Sequence, residues 1–142
     1  MKNFGLVIVG AHIGVHIIKD IEEYRNQNIL LIEPVPHNLK SLKKNIPSYD
    51  TIFIEPVTIG KKNELRKFYF IKESSIHILG KHWASGIGSF NKQHILNHKS
   101  KRFKVTEEDI ETINIETLTI DDLFNKHSIS SIDKLQIDVE GA

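Results

Sequence analysis

Two short apolar runs, Leu6-Val7-Ile8-Val9 and Ile29-Leu30-Leu31-Ile32, each stop at a strand-breaking turn, and one helical repeat separates them. Runs that are apolar without alternation and rich in β-branched residues read as strands buried on both faces, the pattern of a parallel sheet. The first closes at Gly10 and the second at Glu33-Pro34, where a proline cannot continue a central ladder. Between them Ile13, Ile17, Ile18 and Ile21 recur at helical spacing, with Lys19, Asp20, Glu22 and Glu23 on the opposite side, which predicts a helix entered through residues 10–14. The unit then repeats. Asn38 stands where it can cap a second helix with Leu39 and Leu42 inward, Lys40, Lys43 and Lys44 outward and Pro47 as its stop, and a third strand over residues 51–54 ends at Glu55-Pro56.

Strand, helix, strand, helix, strand with short links calls for right-handed crossovers, so the expected fold is α/β, a Rossmann-like doubly wound parallel sheet in three layers, α/β/α. A chain of 142 residues has room for one core, and residues 1–142 are read as one domain. Strands are expected near residues 5–9, 29–33, 51–55 and 134–138, in spatial order third, second, first, fourth. The middle is less regular: residues 66–72 alternate around Phe68 and Phe70, and Ile113, Ile115 and Leu118 suggest another extended piece, either added antiparallel strands or a flap. Residues 74–102, with Gly80, Gly86 and Gly88, are too long for a plain connection and read as a functional loop or lid packed by Trp83, Phe90 and Ile95. Residues 119–127 read as a helix started by Thr119 or Asp121, with Leu123 and Phe124 inward. With the fourth strand as the last element, the sheet is expected to be C-terminally incomplete. Its open edge would then invite a homo-oligomer.

Composition narrows the partners. Nineteen Lys and Arg against eighteen Asp and Glu give a net charge of +1, no bulk reason to seek nucleic acid or an anionic membrane. The apolar stretch from Phe4 to Ile18 is broken by Gly5, Gly10, His12, Gly14 and His16, and it is shorter than the roughly 20 residues of a membrane span. No basic start and small-residue cleavage site mark it as a signal peptide. The absence of cysteine excludes a thiolate metal site and a Cys nucleophile and fits a reducing, cytoplasmic setting. A bound small molecule is the better expectation.

Gly10-Ala11-His12-Ile13-Gly14 lies between strand and helix, where glycine lets a ligand come close to the backbone, although such a turn also occurs for packing alone. A dinucleotide fingerprint needs a glycine at the position of His12 to admit the pyrophosphate, so His12 argues against a dinucleotide. Glu33, about 20 residues further on at the end of the next strand, stands where a carboxylate can accept both hydroxyls of a ribose, although an exposed loop Glu would show the same pattern. A nucleoside without a diphosphate follows as the ligand, and S-adenosyl-L-methionine fits that description.

The blocks Val7-Ile-Val-Gly-Ala-His-Ile-Gly14, Ile32-Glu-Pro34, Leu118-Thr-Ile-Asp-Asp-Leu123 and Leu135-Gln-Ile-Asp-Val-Glu-Gly-Ala142 resemble, in order and spacing, those of the FkbM family of class I S-adenosylmethionine-dependent methyltransferases. The resemblance implies that Gly10, Ala11, His12 and Gly14 shape the turn around the methionine part of the cofactor. It implies that Glu33 and Pro34 serve the ribose, and that Glu55 and Val57 lie near the adenine. It places Asp138 and Glu140 at the fourth strand end, toward the reactive methyl and the acceptor. Two positions depart from the family: Ile8 stands where an acid usually anchors the methionine amine, and His12 stands in place of Asn. Restoring the acid with Ile8→Asp is accordingly expected to tighten binding.

The activity this implies is methyl transfer to an oxygen nucleophile, a hydroxyl of a sugar, glycan or other small metabolite. Alignment would supply most of the catalysis, with Asp138, Glu140 or a histidine of residues 77–98 as base. Asp138 and Glu140 could instead only close the strand. The rival class is an inactive, truncated nucleoside-binding remnant or interaction domain. No metal is assigned: His94 and His98 have i, i+4 spacing, but no Glu follows His94 as in HExxH, so these and His77 and His82 read as solvated.

Overall fold

The computed structural model describes residues 1–79, 88–97 and 105–138. The chain divides into two compact units, one of Met1–Glu64 with Glu116–Asp138 and one built on Leu65–Ile115.

The first unit holds a four-stranded sheet of β1 (Lys2–Val9), β2 (Asn28–Ile32), β3 (Ile52–Glu55) and the last strand, β8 (Ile129–Ile137), in the order β3-β2-β1-β8. Every pairing in it is parallel. Val7 lies opposite Leu135, so the fourth expected strand pairs beside the first, as the switch-point argument requires. Helices α1 (Ile18–Glu23) and α2 (Pro36–Asn45) cover one face, where Ile21, Leu42 and Ile46 close over Leu6, Ile8, Ile29 and Leu31. The other face buries Phe4, Val7, Val9, Leu30 and Ile32 with Val57 and with Leu123 of a later helix, α5 (Ile120–Lys126). Phe4 and Leu6 thus sit on opposite faces although two residues apart, because the register shifts between them. Gly5 makes that shift possible: a Cβ there would lie 2.8 Å from Tyr24 Cδ1.

Three local expectations are corrected. The helix foreseen from Ile13 begins only at Ile18, because Gly10, His12 and Gly14 all have positive φ and the chain turns until residue 17. Asn38 is inside α2 and not its cap; Pro36 opens that helix, where its missing N–H is no loss. The last strand starts at Ile129 and not near residue 134, since β1 reaches back to Lys2 and gives Ile129 a partner. Thr119 does cap α5, accepting from Asp122 N–H at 3.1 Å. A two-residue strand, β4 (Thr58–Ile59), pairs in parallel with Thr117 and Leu118, and the two threonine hydroxyls meet at 2.9 Å.

The second unit contains β5 (Glu64–Ile71), α3 (Glu73–Leu79), β6 (Gly88–Ser89), α4 (Lys92–Leu96) and most of β7 (Ile110–Leu118). The second sheet runs β4-β7-β5-β6, with β5 and β6 antiparallel. Residues 74–102 are therefore not a plain loop where described: Ile76 and Ile95 pack with Ile71, Val105 and Ile110 in a core of their own. Trp83, His82 and His98 lie outside the described residues, as do the side chains of His77 and His94. Among the described residues no helix is long and apolar enough to cross a membrane.

Candidate nucleoside site at the strand ends

Parallel register brings the ends of four strands level. Val9 lies opposite Ile32 and Ile137, and Ile32 lies opposite Glu55, so Gly10, Glu33, Pro56 and Asp138 emerge side by side. Backbone bonds fix the row: Asp138 N–H donates to Val9 O at 2.8 Å, Gly10 N–H and Ala11 N–H both donate to Ile32 O, and Glu33 N–H donates to Glu55 O at 3.1 Å. This is the carboxyl edge at which doubly wound sheets bind ligands.

The turn after β1 is shaped by three residues of positive φ, Gly10 at 89°, His12 at 55° and Gly14 at 87°. Only glycine takes such values at little cost, and a His there is held by its surroundings. What holds it is Glu33, whose Oε1 accepts from His12 N–H at 2.8 Å while Oε2 accepts from Val35 N–H at 3.0 Å. The amides of Gly10, Ala11, His12 and Gly14 therefore all donate within the protein. Gly14 also meets a packing demand, since a Cβ would sit 2.8 Å from Leu42 Cδ1 and 3.0 Å from Ile46 Cγ2.

Glu33 is only 5% exposed. Burial pushes its carboxyl above the usual value of 4.5, while the Val35 and His12 amides and the Asn38 side chain pull the other way. Two carboxylate oxygens offer about four lone-pair positions, so a further donor such as a hydroxyl finds acceptor capacity beside these three. Pro34 is half-buried next to it. The residues present fit the polar edge of a nucleoside.

Glu55 carries the same Ile-Glu-Pro-Val context as Glu33 but faces the other way. Its carboxylate is buried against α5, with Oε1 2.6 Å from His127 Nε2 and 3.0 Å from Lys126 Nζ. Val57 is buried in the apolar cluster on that face. Asp138 is exposed at the end of β8, and Glu140 lies outside the described residues. Ile8 is fully buried among Leu6, Ala11 and Leu31, not directed at an open crevice. Among the described residues no three His or acidic side chains gather as a metal site requires. Sequence reasoning missed His127 and Lys126, and no local signal distinguishes them.

A sequence model of the methyltransferase FkbM domain matches residues 9–142. No curated protein and no solved structure matches the chain.

Proposed function

Because the chain belongs to the FkbM methyltransferase family, we propose that it binds S-adenosyl-L-methionine at the carboxyl ends of β1, β2 and β3 and methylates a hydroxyl of a sugar, glycan or other small metabolite. The observation that carries the reading is Glu33, a buried carboxylate at the end of the second strand that is pinned to the glycine turn by His12 N–H. In this reading the fold is a single three-layer Rossmann-like domain. Gly10, Ala11, His12 and Gly14 flank the methionine portion, Glu33 and Pro34 hold the ribose, and Val57 with the Glu55 backbone borders the adenine. Asp138, exposed beside Gly10, and Glu140 orient the acceptor hydroxyl and take its proton. The cofactor, when bound, supplies a methyl group on a sulfonium. What the chain supplies is alignment of the acceptor with that methyl.

The reading includes a cytoplasmic location and no nucleic-acid partner, supported by the absence of cysteine and a net charge of +1. Self-association through the β8 edge is part of it, supported by Leu135 and Ile137, which are 44% and 59% exposed on that strand. The test is calorimetry with S-adenosylhomocysteine: wild type binds, and Glu33→Ala binds at least about tenfold more weakly, the loss of roughly one charge-assisted bond. Unchanged affinity in Glu33→Ala refutes the assignment. A second reading, a nucleoside-binding domain without turnover, is favoured by the burial of Ile8, which keeps that position from presenting an anchor to the methionine amine. Incubation with labelled S-adenosylmethionine and a panel of sugar and polyketide hydroxyls separates the two. Turnover abolished by Asp138→Asn supports the enzyme.

A further inference from the structure

We propose that His127 is a positioning residue for the nucleoside site: together with Lys126 it holds the Glu55 carboxylate, and through Glu55 it fixes the backbone on which Glu33 rests. The inference deepens the proposed function and depends on it for its effect on ligand. The Glu55 carboxylate is hard to explain by packing. The Glu55 side chain is 8% exposed and the His127 ring 13%, on a face otherwise filled by Phe4, Phe53, Val57 and Leu123. A carboxylate in such surroundings is costly unless donors meet it. His127 Nε2 meets Oε1 at 2.6 Å, and Lys126 Nζ meets Oε1 at 3.0 Å and Oε2 at 3.2 Å. A proton on Nε2 is what donates to a carboxylate, so the ring state that carries one makes the bond.

The ring is itself fixed. Its centroid lies 5.7 Å from that of Phe53 and 6.3 Å from that of Phe4, tilted against the first and edge-on to the second. It sits at the C-cap of α5, and the next residue, Ser128, turns the chain with φ 54° and offers its carbonyl to Lys2 N–H at 2.7 Å. His127 and Ser128 thus tie the end of α5 and the start of β1 to the end of β3. On the same residue as the held carboxylate, Glu55 O accepts Glu33 N–H. If the donors are removed, the Glu55 carboxylate leaves the apolar face for water, the strand end goes with it, and Glu33 loses the acceptor that sets its backbone.

Two readouts test this, one without ligand. Amide hydrogen exchange at Glu33 in the ligand-free chain reads the link directly, and S-adenosylhomocysteine affinity by calorimetry reads its consequence. His127→Phe keeps a ring and removes the donor, while His127→Gln restores a donor. Exchange at Glu33 should quicken at least tenfold in His127→Phe and return to within about twofold of wild type in His127→Gln, with affinity following the same pattern. In a Glu55→Ala background, which removes the acceptor, His127→Phe should add no further change, because residues acting through one another are not additive. Unchanged Glu33 exchange in a folded His127→Phe chain, or the same loss with and without Glu55, overturns the proposal. If His127→Phe does not fold, Lys126→Met takes its place in the cycle with the same criteria at a smaller expected effect. A wild type that fails to bind S-adenosylhomocysteine refutes the cofactor reading, while Glu33 exchange still decides the role of His127.

Discussion

Replacing Glu33 by Gln decides which of two opposing effects governs the buried carboxyl. Its oxygens accept from His12 and Val35 amides at 2.8 and 3.0 Å, and such bonds, about 1.5–3 kcal/mol each to a charged acceptor, favour ionisation. Burial acts against the charge and is the larger influence, so the carboxyl stands above its usual 4.5. A carboxyl raised in the folded state contributes stability that is fully present below its unfolded value, and that stability is lost as pH rises through the folded one. Gln cannot ionise, and its amide group turns an N–H toward one of the two backbone donors, leaving that donor unpaired at about 1–3 kcal/mol. Wild type should therefore exceed Glu33→Gln by about 1–3 kcal/mol in acid, and the gap should narrow as pH is raised from 4.5 toward about 8. Urea unfolding of both chains across that range measures the gap. A gap that widens with rising pH would show that the amide donors outweigh burial, and the reasoning would be wrong.

Ile8→Asp should not tighten nucleoside binding as the family pattern implies but destabilise the fold, because Ile8 is fully buried among Leu6, Ala11 and Leu31. An unpaired carboxylate there costs about 3–5 kcal/mol at neutral pH, visible as a lowered urea midpoint that partly recovers in acid. Gly14→Ala should cost about 1–3 kcal/mol, since φ is 87° and the added Cβ meets Leu42 and Ile46; a thermal midpoint equal to wild type would contradict the turn geometry. The double variant Leu135→Thr, Ile137→Thr should lower any self-association seen by light scattering, because these are the exposed apolar residues of the edge strand. An unchanged oligomeric state would place the contact elsewhere.

The sheet was legible where its cause is local. Residues 6–9 and 29–32 are apolar without alternation because both of their faces are covered, and that alone gives the parallel strands. Where the cause is distant, pattern reading fell short. Ser130, Ser131 and Asp133 do not look like a strand, and β8 extends over them because β1 offers backbone partners as far back as Lys2. The start of α1 is not legible because nothing in the sequence marks His12 for positive φ; its bond to Glu33, 21 residues away, holds it there. The two Ile-Glu-Pro-Val endings show the limit most directly. Read as sequence they are the same signal, and both glutamates are buried. Register separates them: Ile32 lies opposite Glu55, so the strands are offset by one residue and their glutamates point to opposite faces. On the α2 face Glu33 finds the backbone amides of His12 and Val35. On the α5 face Glu55 finds Lys126 and His127, 71 and 72 residues away. The same four residues therefore give a carboxylate bonded to the glycine turn at one strand end and a tether to α5 at the next, a division set by sheet pairing rather than by the motif.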